Sequence, residues 1–329
     1  MCKSACVCAT WMGTSPRPRG VKMAAEPADL ADCYVGVKPY ERALLDLLES
    51  ETVPRPARST HPLLISADQA AMPPVDWEAL HPRLHPTGAG VPPARAGRKC
   101  WQLEALCAIT QLLAEDLRDA RGTDCHIVDF AAGSGPLGLP LAAMLPWVTV
   151  TFVELKKRSL DIARERAKEA GLTNVRFFEG DIQAFSEPFD VGIALHACGT
   201  ASDLVLETCV ERGARFVVCP CCTGKLSTGR RDVYRFAVTG ANESRVAYPR
   251  SALVSNVLDA EAYNFLACAA DVSDVALLDG SRGLLRRLSK LYLEHDRRLW
   301  ACERDYDCHL TRMHHGREAS PKCDILYGW

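Results

Sequence analysis

Short apolar runs alternate with amphipathic stretches through the middle of this chain. From Trp101, the residues Leu103, Leu106, Cys107, Ile109, Leu112, Leu113 and Leu117 recur at helical spacing and predict a helix with one apolar face. Strands are predicted over 125–130, 148–153, 175–179, Phe189–Leu195 and Arg215–Cys219, with helices between them over 137–145, 159–170 and 201–212. Gly171 and Gly213 stand just past two of these helices, where a left-handed residue ends the coil. The run Phe189–Leu195 is almost wholly apolar, as a strand covered on both faces should be. After an insertion over 220–280, the pattern predicts a sixth strand near 287–293, a helix over 295–305 and closing strands near 306–312 and 323–327. Such alternation predicts an α/β fold with a mostly parallel sheet, helices on both faces and a final hairpin.

Upstream the pattern weakens. Pro39–Ser50 predicts a short helix, and residues 51–98 contain nine of the chain's 20 prolines, which predicts an extended linker draped over the domain. The expected organisation is a disordered tail or targeting segment over 1–38, a helix and linker over 39–98, and the main domain over 99–329. The first 23 residues carry Lys3, Arg17, Arg19 and Lys22 without an acid, which suits an organelle transit peptide or a tail ahead of a start at Met23.

Composition narrows the class. A length of 329 residues with 48% hydrophobic content supports a large core, and a net charge of −2 supplies no global field toward polyanions. No apolar stretch reaches the roughly 18 residues of a membrane span. The 16 cysteines fall partly in predicted buried strands, so reduced thiols in a cytoplasmic or organellar protein are expected. Oligomeric state is not legible.

The chemistry lies at the strand ends. Ile127-Val-Asp-Phe-Ala-Ala-Gly-Ser-Gly135 runs from a strand into a glycine turn, and acids follow the next two strands: Glu154, then Asp181 after Gly180. This arrangement holds an adenosine at the carboxyl edge of a parallel sheet. Gly133 to Gly138 also fits the G-x-G-x-x-G of nicotinamide-dependent oxidoreductases, which stay open as an alternative. Asp129, however, stands where an acid would engage the methionine ammonium of S-adenosyl-L-methionine; Glu154 would take the ribose hydroxyls and Asp181 the adenine amine. The predicted cofactor site is Asp129, Ala131, Gly133, Gly135, Glu154 and Asp181, with Ala131 replacing the first glycine of the usual series. Seven strands with a returning hairpin are the Rossmann-like sheet of class I methyltransferases. The plain alternative makes Asp129 a turn acid, Glu154 a solvated charge and Asp181 a helix N-cap.

Strand four leads into Leu195-His196-Ala197-Cys198-Gly199-Thr200-Ala201-Ser202-Asp203, and strand five into Cys219-Pro220-Cys221-Cys222. Neighbouring strands would bring His196, Cys198, Asp203, Cys221 and Cys222 around the methyl acceptor, with His196 or Asp203 as base. Cysteines serving only as small apolar fillers are the alternative. The His196, Cys198, Cys221 and Cys222 set has zinc-binding ligand types, but its pairs are adjacent or one apart, so no metal is assigned. A thiolate attacking a pyrimidine ring is a further reading, without the Asp-Ala-Pro-Cys loop that such enzymes carry.

These loops resemble a known family. Leu-His-Ala-Cys-Gly-x-Ala-x-Asp and Cys-Pro-Cys-Cys, with Val91-Pro-Pro-Ala-Arg-Ala-Gly-Arg-Lys-Cys-Trp-Gln-Leu-Glu upstream and Tyr248-Pro-Arg-Ser and Ser320-Pro-Lys-Cys-Asp-Ile-Leu downstream, resemble the methyltransferase region of glutathione S-transferase C-terminal domain-containing proteins. The resemblance covers roughly residues 75–329. The Leu-His-x-Cys-Gly loop is also similar to that of 2′-O-methyltransferases acting on the tRNA acceptor stem, although Thr223-Gly224 stands where those carry paired histidines. It implies methyl transfer from S-adenosylmethionine, with tRNA or rRNA as the expected acceptor.

Local charge points the same way. Arg212, Arg215, Lys225, Arg230, Arg231, Arg235, Arg245 and Arg250 face only Asp232 and Glu243 within 212–250, predicting a basic rim with Tyr234, Phe236 and Tyr248 to stack on bases. Arg95, Arg98 and Lys99 are expected to precede the first domain helix. A catalytically silent, cofactor-binding adaptor is the alternative function. His309, His314 and His315 read as exposed loop histidines.

Overall fold

The computed structural model describes residues 75–195, 197–226, 246–313 and 320–329. Five parallel strands, β1 (Cys125–Phe130), β2 (Val148–Glu154), β3 (Val175–Glu179), β4 (Val191–Ala194) and β5 (Arg215–Val218), join β6 (Cys308–Arg312) and β7 (Asp324–Gly328). The sheet order is β3-β2-β1-β4-β5-β7-β6, with β7 antiparallel to both neighbours. This is the seven-stranded class I methyltransferase sheet. The chain steps outward from β1 to β3 and then returns to β4, so a crevice opens at the carboxyl ends of β1 and β4.

Seven described α-helices cover the faces: α1 (Pro93–Arg121), α2 (Gly138–Met144), α3 (Lys157–Glu169), α4 (Thr200–Glu211), α5 (Ala252–Ser255), α6 (Ala260–Ala270) and α7 (Gly280–Cys302). The apolar stripe of α1 is buried at Leu103, Leu106, Ile109, Leu113 and Leu117 and shares a core with Ile127, Val150, Ile193 and Val217. Val128, Phe130, Val153 and Phe216 point to the other face and pack with Val205 and Leu206 of α4 and Trp300 of α7. Alternation along β1 thus feeds two separate layers. Burying these side chains contributes about 1.5–3 kcal/mol each, and together they hold the strand tips in place.

The strand expected near 287–293 is α7 instead, which also removes the surplus over seven strands. Leu285, Tyr292 and Trp300 are buried at intervals that fit a helix, and so are Lys290, Glu294 and Arg297 on the same helix. Charges paired with one another let that segment be buried without alternating.

The linker boundary also moves. Val75 and Leu84 are in the core, Trp77 Nε1 donates to Glu104 at 2.6 Å, and α1 already begins at Pro93. Arg95, Arg98 and Lys99 therefore lie inside the helix they were expected to precede. The predicted helix over 39–50 lies outside the described residues.

Within the insertion, Leu226, Val254, Leu258, Tyr263 and Leu266 pack on Tyr292 and Leu293 of α7. No helix among the described residues is long and apolar enough to cross a membrane.

Candidate active site

The turn after β1 takes its shape from residues that tolerate positive φ. Gly133 and Gly135 have φ of 57° and 73°, and Ala131 adopts φ 52° despite its side chain. A left-handed alanine costs about 1–2 kcal/mol, a strain the surrounding turn must hold. Gly138 is required for contact: a Cβ there would lie 2.6 Å from Phe152 Cε1 and 2.9 Å from Asp129 Oδ2.

Two acids lace this turn. Asp129 is buried at the end of β1, where its Oδ2 accepts from the Gly138 N–H at 3.0 Å. Burial pushes its carboxyl up to about 7, and Glu154 adds to the rise, while the Gly138 N–H and Lys99 oppose it. Glu154, at the tip of β2, accepts from the Gly133 N–H through Oε2 and the Lys156 N–H through Oε1, both at 2.8 Å. Asp181 stands apart at the tip of β3. It accepts from the Gln183 N–H at 2.9 Å and caps a single turn of 3-10 helix, the role given as its plain alternative.

The cysteine loops do meet. Cys198 Sγ lies 3.1 Å from Cys221 Sγ and 3.5 Å from Cys222 Sγ. Gly199, at φ 61° and ψ −133°, takes a conformation open to glycine alone, and its N–H donates to Cys222 O at 2.9 Å. The three thiols line a cavity of about 240 Å³ with Gln102, Leu195, Cys219 and Lys322. Lys322 Nζ reaches Cys222 Sγ at 3.2 Å and Asp271 at 3.6 Å. Desolvation acts against the charge of Lys322, yet its bond to Cys222 holds the ammonium above its ordinary range. Burial drives the Cys219 thiol upward, fitting an inert filler.

His196 lies outside the described residues. Asp203 does not serve as a pocket base. It is fully buried in α4, where Arg297 Nε and Nη2 donate to its two oxygens at 2.9 and 2.8 Å, Tyr248 Oη donates at 2.8 Å and Arg250 Nε pairs at 3.4 Å. Burial opposes its charge, but Arg297 first and Arg250 next hold the carboxyl below its ordinary range. Three hydrogen bonds, two from Arg297 and one from Tyr248, already occupy its oxygens.

The described residues of the expected basic rim are also engaged elsewhere. Arg212 donates to Phe185 O at 2.6 Å and Arg215 pairs with Asp116 at 2.6 Å; both sit at the amino end of β5, the opposite edge from the site. Arg250 is buried against Glu207 and Trp300, and Tyr248 stacks on Tyr263 at 5.4 Å, so neither is offered to a base. Arg230, Arg231, Tyr234, Arg235, Phe236 and Arg245, together with His314 and His315, lie outside the described residues. His309 is buried rather than exposed, stacked on Trp329 with ring centroids 4.9 Å apart.

Lys99 was missed as a site residue. It lies in the second turn of α1 within electrostatic reach of Asp129, Cys219 and Cys221, and burial lowers its ammonium to about 8. It thereby links the two halves of the site. Its position, four before Leu103 on the buried stripe, is the signal that marks it: a cation where the helix calls for an apolar residue.

Known proteins resemble this chain. Residues 98–229 match a family described as a methyltransferase domain. The chain is 32% identical over 254 residues to the human Glutathione S-transferase C-terminal domain-containing protein, covering 77% of this chain and 36% of that protein. The Drosophila melanogaster homolog is 34% identical over 257 residues, 77% of this chain and 40% of its own length. The chain thus spans well under half of these relatives. Among solved structures, Haemophilus influenzae TehB is 18% identical over 32% of this chain and 38% of its own (TM-score 0.26). Rickettsia typhi PKMT2, in complex with AdoHcy, is 20% identical over 29% of this chain and 20% of its own (TM-score 0.26). With its sheet order, its laced glycine turn and the match over residues 98–229, the chain carries a methyltransferase domain similar to a region of the glutathione S-transferase C-terminal domain-containing proteins.

Proposed function

We propose that the chain transfers a methyl group from S-adenosyl-L-methionine to RNA. The observation that carries the reading is the placing of two half-sites at the ends of neighbouring strands: the Asp129–Glu154 turn follows β1 and β2, and the cysteine-lined cavity follows β4 and β5, with Lys99 within electrostatic reach of both. Asp129, a buried carboxyl that accepts the Gly138 N–H through one oxygen, fits the methionine ammonium. Each Glu154 oxygen accepts one backbone N–H and retains a lone pair for a ribose hydroxyl. Asp181, at the neighbouring tip, is available to the adenine amine through the carboxylate that now caps its turn. When bound, the cofactor supplies a sulfonium-held methyl group; the chain's residues orient it and exclude water around the acceptor.

Support for RNA comes from the amino end of α1. Arg95 and Arg98 are exposed there, one turn from Lys99 and from Gln102 on the cavity wall. These cations, with the positive end of the helix dipole, favour a phosphate-bearing acceptor at the pocket mouth. His196 remains the base expected from the sequence, and Lys99, with its ammonium lowered to about 8, is a second group able to hold the acceptor's proton near neutral pH.

Incubating the chain with labelled S-adenosylmethionine and fractionated RNA tests the reading. Label in a discrete RNA fraction is expected, and Asp129→Ala should remove it. Label confined to protein would refute RNA as acceptor. Binding of S-adenosylhomocysteine without transfer to any acceptor would favour the silent adaptor, the reading that the occupied oxygens of Asp203 support.

A further inference from the structure

We propose that Cys198, Cys221 and Cys222 bind a zinc ion whose fourth coordination position opens into the cavity they line. The sequence spacing argued against a metal because it counts along the chain. The fold brings in the third ligand from another strand end: Cys198 follows β4, whereas Cys221 and Cys222 follow β5.

All three sulfurs lie within 4.8 Å of one another. Zn–S bonds of about 2.3 Å place the sulfurs of a tetrahedral site roughly 3.8 Å apart. The separations of 3.1 and 3.5 Å from Cys198 Sγ to the other two need shifts of less than about an ångström to reach it. A disulfide would use only two of these thiols and leave Cys222 beside them.

Charge favours the ion as well. Three thiolates and a divalent zinc leave a net −1, and the Lys322 ammonium, 3.2 Å from Cys222 Sγ, offsets it. An N–H donor on a ligating sulfur is the usual outer support of a thiolate site. The bond from the Gly199 N–H to Cys222 O fixes the two loops against each other, so the ligand set is preorganised before metal arrives. Three protein ligands with an open position are the pattern of reactive rather than purely structural zinc.

Elemental analysis of the full chain, purified without chelator, should find a single zinc per chain. Cobalt titrated into the stripped protein should give a thiolate-to-metal charge-transfer band. Cys198→Ser, Cys221→Ser and Cys222→Ser should each weaken zinc binding by at least about tenfold. Lys322→Met should weaken it by a similar factor of about ten while keeping the cobalt band, because the sulfur ligands remain. Cys268→Ser, an exposed thiol on α6, should change neither reading.

The proposal is overturned if the wild-type chain takes up no stoichiometric zinc and shows no cobalt band. It is equally overturned if the three serine variants bind as tightly as wild type, if copper replaces zinc, or if mass spectrometry finds a Cys198–Cys221 disulfide in the metal-free chain. None of these readings depends on methyl transfer, so failure of the RNA assay leaves the metal result standing.

Discussion

On the proposed reading, Asp129 makes cofactor binding sensitive to pH. Its carboxyl, moved by burial from 3.8 to about 7, must be ionised to meet an ammonium. Affinity for S-adenosylhomocysteine, measured by calorimetry, should therefore fall about tenfold for each pH unit below about 7 and level off above it. Asp129→Asn should bind more weakly with a flat profile across that range. The sign for stability is opposite. Because the folded value is raised, the contribution of Asp129 to the empty protein is greatest below 3.8 and is lost as pH climbs through about 7. The sequence makes Asp129, Gly133 and Glu154 legible, since strand ends and glycines fix where such groups must stand. It conceals Lys99, which reads as one more charge ahead of a helix until α1 is known to start at Pro93.

Between elements, Asp203 pins α4 to α7. Its carboxylate receives Arg297 on one side and Arg250 on the other, while Glu294 takes the remaining Arg297 nitrogen at 3.0 Å. Asp203→Ala should lower the unfolding free energy by about 3–5 kcal/mol, read from urea denaturation, because buried guanidinium groups lose their counter-charge. Cofactor binding should persist at temperatures where the variant is folded. A stable variant with transfer abolished would instead restore Asp203 as the base. The same helix explains a limit of sequence reading. A short run such as Leu288 to Leu293 fits strand or helix by polarity, and only its partners in α4 and α6 decide between them.

Across the whole molecule, the site collects pieces distant in sequence: the turn after β1, the loops after β4 and β5, the amino end of α1, and Lys322 ahead of β7. Acceptor recognition is expected at the α1 end. Arg95→Glu with Arg98→Glu should raise the RNA KM by at least about tenfold and flatten its salt dependence, leaving S-adenosylhomocysteine affinity unchanged; unchanged RNA kinetics would move the binding face elsewhere. Of the basic stretch at 212–250, Arg212 and Arg215 leave the expected rim because counting charges ignores which edge a strand begins on. Arg212 and Arg215 precede β5, and the reactive edge follows it.

The antiparallel placement of β7 between β5 and β6 orders the steps of folding. β6 has no other neighbour in the sheet, so it stays unpaired until the ribosome has released residues 324–328. Assembly of the reactive pocket must then wait as well, for Lys322 arrives with the same late segment. A nascent chain halted before it would display its glycine turn while lacking Lys322 from the wall of the cysteine-lined cavity.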